Sequence, residues 1–426
     1  MKSLLYLVLA WGLVAWPVVQ AYPLDGFDYT GIRRLEGYRL AQEGKVRARR
    51  LHPGALLSLQ QVDLRLRDHR DLEIPPVDAE FQQQIMNILG ANASRYSIAI
   101  LDLTDPDNPA YAEHRAEVNF NPGSIGKLVV ATGIFNELAR AFPKDRELRE
   151  AILRTTEVTA DRFIRVDTHK VPFWHPDSMR MTHRPLRIGD KASLWEWLDW
   201  MLSPSSNAAA STVIKQLMLM QKFGQGYPGF EEDAREYFRK TPPARLADDL
   251  HRVLDRAVVD AGLDVDKLRQ GGFFTSEGKR RVPAGGSKGN VRELLKFLLR
   301  LEQGKIVDEW SSREIKRLLY MTQKRIRYAS SPALKRAAVY FKSGSLYKCR
   351  PEPGFKCGKY RGNKLNLLNS VAIVESPAGK PHGLYYMVVV TSNILKVNAA
   401  VAHQSLATYI QRLMLQRHPE VGAQSK

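Results

Sequence analysis

Two cysteines in a chain of 426 residues rule out a disulfide-stapled scaffold, and with no histidine near them they make a poor zinc site. After residue 21 no apolar run approaches the length of a membrane span, so an exported chain is expected to be soluble. No internal repeat or long low-complexity tract occurs, which excludes solenoids and fibres. Acidic residues are in deficit: 45 Asp and Glu face 64 Lys and Arg, for a net charge of +19. A surplus of that size speaks of anionic surroundings, such as nucleic acid, phospholipid head groups or cell-wall polymers, and not of a fold. What the chain does have is an ordinary 44% of hydrophobic residues, enough to bury a sizeable core in two or three domains or in one large one with additions.

The compartment is written at the start. Met1-Lys2 is a short basic opening, residues 4–16 are almost uninterruptedly apolar, and Val19-Gln20-Ala21 places small residues at the spacing a signal peptidase requires. Residues 1–21 therefore read as a cleaved secretory signal, placing the protein in a periplasm or otherwise outside the cytoplasm. A retained anchor is the alternative, although the apolar stretch is shorter than the roughly 20 residues a span needs. Export removes nucleic acid as an expected partner and leaves anionic wall polymers or a membrane surface. In an oxidising compartment Cys349 and Cys357, in CRPEPGFKC, are placed to form a local disulfide, with two free thiols as the alternative. Closing so short a loop would contribute roughly 2–3 kcal/mol.

Residues 22–75 are polar and basic, with KVRARR at 45–50, and end in Pro75-Pro76; they read as most of a basic N-terminal extension, 22–89. Residues 96–103 alternate as a strand does, DPDNP at 105–109 is turn chemistry, and 110–120 is expected to pair back. After Gly123 the apolar spacing becomes helical, which puts Ser124 at a helix N-terminus. Helical patterns dominate from 145 to 335, with stripes at 194–202, 208–222, 244–261 and 291–303. Strand patterns return at 337–347, 365–375 and 383–391, before an amphipathic stretch at 397–415. This order predicts an α+β fold over residues 90–416, a five-stranded antiparallel sheet flanked by helices with a helical subdomain, followed by a polar tail at 417–426.

Three short motifs fall at boundaries that such a fold brings together. The first is Ser124-Ile125-Gly126-Lys127. Positions i and i+3 share a helix face, so the Lys127 amine can reach the Ser124 hydroxyl. A serine is a weak nucleophile until a base takes its proton, and a lysine of lowered pKa can be that base. Backbone N–H groups at the helix start face a developing oxyanion. The second is Ser205-Ser206-Asn207, between two amphipathic segments, where a hydroxyl could pass a proton to a leaving nitrogen and the amide could orient Lys127. The third, Lys342-Ser343-Gly344, lies in a strand. Glycine permits close approach of a substrate backbone, Lys342 offers positive charge to a carboxylate, and the Ser345 N–H is a second oxyanion donor. Singly, each has a plainer explanation as a cap or a solvated lysine. Together, in this order and in these element types, they are far more specific.

At this point the sequence resembles the penicillin-recognising serine hydrolases, which comprise the class A β-lactamases and the penicillin-binding peptidases, over roughly residues 90–415. The resemblance implies Ser124 as acylating nucleophile, Lys127 as proton acceptor, Ser205 as relay and Asn207 as a contact to substrate and lysine. Lys342 with Ser343 would recognise the substrate carboxylate, Gly344 would let the substrate backbone approach, and the N–H groups of Ser124 and Ser345 would form the oxyanion hole. The substrate would be a carboxylate-bearing β-lactam or a peptide-like amide.

The sequence departs from that pattern in two ways. The motifs are far apart, with insertions at 173–187 and 224–238. No E-x-x-L-N occurs to supply the glutamate that activates a deacylating water in class A enzymes; where it is expected, LRQGGFFTSEGK offers only Glu277. Glu231, Glu232 or Glu236 could substitute, but read more simply as solvated helix residues. The departures favour the alternative of a D-Ala-D-Ala peptidase acting on peptidoglycan. A third reading is a wall- or membrane-binding protein with a vestigial site. His169, His175 and His183 match no metal-ligand spacing, so neither metal nor other cofactor is expected. Trp195, Trp197 and Trp200 read as core. Lys348, Arg350, Lys356, Lys359, Arg361 and Lys364 follow the third motif and would draw anionic substrates towards it.

Overall fold

The computed structural model describes residues 23–47, 50–320 and 325–423; the secretory signal expected at 1–21 lies outside the described residues. Residues 23–72 hold little regular structure beyond the helix α1 (Arg34–Gln42). Even so, Leu24, Ile32, Leu35, Leu57, Val62 and Leu66 are buried in the same cluster as the three tryptophans. Each such side chain contributes about 1.5–3 kcal/mol of burial free energy. The stretch expected as an extension therefore forms a wall of the helical layer. Arg34 is as buried as these leucines and donates from Nε and Nη2 to the Asp199 carboxylate at 2.5 Å each.

Helix α2 (Ala79–Leu89) is capped by Asp78, which accepts from the Phe81 N–H at 2.7 Å, and its Phe81, Ile85 and Leu89 are spaced to meet the sheet along one face. Strands β1 (Tyr96–Asp102) and β2 (Ala110–His114) pair around the DPDNP turn. The second strand, expected over 110–120, stops at His114 because Arg115 turns into the left-handed region at φ 51°. Phe120 instead exchanges backbone hydrogen bonds with Gly289 at 2.8 and 3.0 Å.

A 3-10 turn, Gly123–Gly126, runs straight into α3 (Lys127–Ala141). The helical layer continues with α4 (Leu194–Leu202), α5 (Asn207–Phe223), α6 (Glu231–Lys240), α7 (Pro243–Asp260), α8 (Val291–Glu302) and α9 (Glu309–Leu319). The block, expected to be helical from its stripes, is not wholly so. Residues 170–185 form a hairpin, Lys170–His175 against Arg180–Pro185, and its Trp174 lies so close on Gly37 of α1 that a Cβ there would stand 2.5 Å from the indole. The chain closes with β3 (Ala338–Lys348), β4 (Leu365–Ser376), β5 (Leu384–Asn393) and α10 (Ala399–Arg417). Beyond α10, His418 Nε2 returns to within 2.8 Å of Asp102 Oδ2.

The strands lie in the order β2-β1-β5-β4-β3, antiparallel throughout. Their alternation sorts side chains onto two faces. Leu101, Ile373, Met387 and Val389 join the helical layer; Ile100, Val374, Val388 and Val390 meet α2 and α10. First and last strands thus meet in space, and β3 at the sheet edge runs beside the Gly123–Gly126 turn.

Candidate active site

Gly123, at φ 54°, bends the chain into the turn that carries Ser124, and Lys127 opens α3 one turn later. Lys127 is fully buried. Its Nζ has four oxygen neighbours: Ser205 O at 2.8 Å, Asn207 Oδ1 at 2.9 Å, Ser124 Oγ at 3.2 Å and Ser205 Oγ at 3.4 Å. An ammonium carries three N–H bonds, whereas an amine carries two and a lone pair. The Ser205 carbonyl and the Asn207 amide oxygen can only accept, so they take two N–H bonds. The remaining direction faces hydroxyls, which can donate to a lone pair. This shell suits the neutral amine. Burial pushes the Lys127 pKa down to about 7; Asp167 opposes the shift and the Arg327 charge assists it. The ring of Phe274 lies 4.8 Å from the nitrogen.

Ser205 adopts φ 63°, a left-handed conformation that costs a non-glycine residue about 1–3 kcal/mol. Its neighbour fixes it. The Ser206 N–H donates to Trp200 O at 3.0 Å, and the Ser206 hydroxyl caps α5 by accepting from the Ala209 N–H at 3.1 Å. The same hydroxyl donates to Asp167 Oδ2 at 2.9 Å, as does the Ala208 N–H. Capping and orientation are therefore divided within the motif: Ser206 caps, while Ser205 and Asn207 address Lys127. Burial would raise the Asp167 pKa, but hydrogen bonds from His169 Nδ1, at 2.5 Å, and from Ala208 hold it well below the usual carboxylate range.

On β3, a Cβ at Gly344 would stand 2.3 Å from Pro122 O and 2.9 Å from the Ser124 nitrogen. The glycine is thus required first by the close approach of strand to nucleophile turn, a reason internal to the fold and additional to any approach of substrate. Lys342, also buried, donates to Ser205 Oγ at 2.7 Å and to Ser343 O at 3.2 Å. The Ser205 hydroxyl lies between two amines. Burial above all, then the charges of Lys127 and Arg327, hold the Lys342 pKa well below its ordinary value.

Arg327 was not apparent from the sequence, where it sits in the basic run QKRIRY. Its guanidinium donates to Ser343 Oγ at 2.6 Å, Tyr360 Oη at 2.7 Å and Ser345 Oγ at 3.3 Å, and lies 4.9 Å from the Tyr360 ring. Two serine hydroxyls and a fork of donors converge there, the geometry that suits a carboxylate. Tyr360 belongs to the β3–β4 loop, three residues beyond the turn that the Cys349–Cys357 disulfide closes.

The candidate deacylating carboxylates lie elsewhere. Glu277 is ion-paired with Arg280 and Arg281, Glu231 with Arg235 and Glu236 with Lys240, while Glu232 is exposed. Among the described residues no Asp or Glu side chain hydrogen-bonds to Ser124, Lys127 or Ser205. The segment 270–275 brings Phe274 to Lys127 and Gln270 beneath Gly126, where a Cβ would meet the amide oxygen at 1.9 Å. The Gln270 amide nitrogen donates to Gly272 O at 2.6 Å, and its buried oxygen has no protein partner. His169 is engaged by Asp167, and His175 Nε2 lies 2.9 Å from Thr182 Oγ1.

This sheet with its helical subdomain is the β-lactamase/transpeptidase-like fold, with the three motifs gathered at one edge. Residues 80–410 match the beta-lactamase enzyme family, and the chain belongs to it: it is a member of the penicillin-recognising serine hydrolases. None of the curated protein sequences matches the chain. Among solved structures it is similar to the TLA-3 extended-spectrum β-lactamase, at 11% identity over 79% of this chain and 98% of that one, with a TM-score of 0.51. PBP-A is similar at 13% identity, 81% and 100% coverage and a TM-score of 0.49. A class A β-lactamase from Bacteroides cellulosilyticus DSM 14838 is similar at 15%, over 78% and 97%, with a TM-score of 0.47. At such identities the likeness is one of fold.

Proposed function

We propose that the protein is an exported serine hydrolase whose Ser124 is acylated by a carboxylate-bearing β-lactam or similar peptide-like amide. The observation that carries this reading is the buried Lys127 amine, whose N–H bonds are taken by Ser205 O and Asn207 Oδ1 while a third side faces Ser124. The neutral amine takes the Ser124 proton as Oγ attacks the carbonyl carbon. The N–H groups of Ser124 and Ser345 receive the oxyanion, and Ser205, between Lys127 and Lys342, passes a proton to the leaving nitrogen. Lys342, Ser343 and Arg327 hold the carboxylate. The disulfide supports export, since such bonds persist in oxidising compartments.

Labelled penicillin tests the proposal. Covalent label is expected on Ser124 and none on Ser124→Ala; no label with any β-lactam would overturn it. A second reading, a D-Ala-D-Ala peptidase, is favoured by Phe274 and Gln270 standing in the segment where a deacylating glutamate was sought. It expects label that persists, whereas rapid loss supports a β-lactamase. A wall-binding role for a free basic arm has less support, because the apolar residues of 23–72 are buried in the core.

Arg327→Ala is expected to raise the half-saturating β-lactam concentration for acylation about 10- to 100-fold, with a smaller change in limiting rate, as loss of charge-assisted bonds would do. The concentration dependence of labelling measures it. An unchanged half-saturation would remove Arg327 from the carboxylate site.

A further inference from the structure

A second cavity, of about 690 Å³, opens between α5, α6 and the segment 156–163, and none of the residues of the Ser124 site lines it. Its floor is apolar: Phe163, Phe238, Leu219 and Ala234 are all buried, with the two rings edge to face at 5.1 Å. Five of the lining side chains are cationic and three acidic. The acids are already engaged, Asp161 by Lys215, Glu231 by Arg235 and Glu157 by Lys191. Arg162 and Arg239 are exposed at the rim and form no salt bridge among the described residues, although Glu236 lies near enough to Arg239 to feel its charge. A volume in the range of small-ligand sites, an apolar aromatic floor and exposed cations above it suit a small amphipathic anion, an apolar body bearing a carboxylate, sulfonate or phosphate.

Three segments that wall this cavity continue into the Ser124 site. Residues 161–163 form one wall, and Asp167, four residues beyond Phe163, holds Ser206 and Ala208. Phe163 O accepts from Thr275 Oγ1 at 2.5 Å, and the Thr275 N–H donates to Ser211 Oγ of α5 at 3.2 Å. Thr275 adjoins Phe274, which stands over Lys127, while Arg281 at the far end of the same segment lines the cavity. Asn207 lies at the start of α5 and Lys215 eight residues along it, about 12 Å by helical rise.

We propose that this cavity is a second ligand site, for a small amphipathic anion, whose occupation steadies the Ser205–Asn207 loop through Asp167. Binding there does not depend on the acylation reading. The whole protein is titrated with 8-anilinonaphthalene-1-sulfonate, and a saturable rise in fluorescence from one site is expected. Arg162→Glu combined with Arg239→Glu, both exposed, should weaken it at least tenfold. Ala234→Trp, which fills the floor, should abolish it, with circular dichroism confirming the fold. Undiminished binding in the charge-reversed protein overturns the proposed site. With the probe saturating, hydrogen exchange at the Ala208 amide is expected to slow several-fold in the parent and not in the charge-reversed protein. Unchanged exchange despite binding overturns the link to the loop.

Discussion

Lys127→Ala is expected to acylate 10²- to 10⁴-fold more slowly than the parent, the span that a positioned general base contributes. The effect should be large because Lys127 is the one described side chain that hydrogen-bonds to the Ser124 hydroxyl: no carboxylate does so, and Asp167 spends its bonds on Ser206, Ala208 and His169. The pH profile carries the same signature. A base must be unprotonated to act, and burial places the Lys127 pKa at about 7. The parent's acylation rate should therefore rise tenfold per pH unit below that value and level off above it. Single-turnover labelling with a fluorescent penicillin from about pH 5 to 9 measures both effects. A Lys127→Ala rate within tenfold of the parent, or a flat parent profile, would assign proton transfer to another group.

The residues legible in sequence are those whose partners are set by local geometry. Ser124 and Lys127 meet because residues three apart share a face along the turn that enters α3, and Ser206 caps because that is what serine does before a helix. Lys342 and Gly344 were legible as a strand motif. Their meeting with Ser205 needs the sheet order that brings the last three strands back beside α3. The site's other contributors carry no such pattern. Asp167 reaches Ser206 from 39 positions upstream, across a hairpin that the sequence shows only as an insertion between motifs. Arg327 is one cation among several, singled out only by its aim at Ser343 and Tyr360. Phe274 and Gln270 occupy places where a charged residue was sought, and an apolar ring or an amide leaves no chemical motif.

The same physics explains the N-terminal stretch. Its leucines are spaced without helical or strand periodicity and interrupted by arginines, so they read as polar extension. Arg34 carries no local sign of burial and is as buried as the core, paired with a carboxylate 165 residues away. Nothing in local pattern encodes a bond of that reach.

That bond underlies the second large expectation: Asp199→Ala should destabilise the fold by about 3–5 kcal/mol, the loss seen when half of a buried ion pair is removed and its charge left unpaired. The Arg34–Asp199 pair is suited to so large an effect, since each side chain is only 1% exposed and two bonds of 2.5 Å join them. For a chain of this size the loss corresponds to a fall in Tm of roughly 5–10 °C, read by calorimetry. Arg34→Met combined with Asp199→Leu, which removes both charges and refills the space, should recover most of it. The consequence reaches the site. Asp199 precedes Trp200 on α4, and Trp200 O accepts the hydrogen bond from the Ser206 N–H that sets the strained Ser205. The double variant therefore separates two roles: stability restored with acylation intact makes the pair a structural tie alone. Stability restored with acylation slowed means the charged pair also registers α4 for the Ser205 loop. A single variant that loses less than about 1 kcal/mol would mean that the N-terminal wall is not held by this pair.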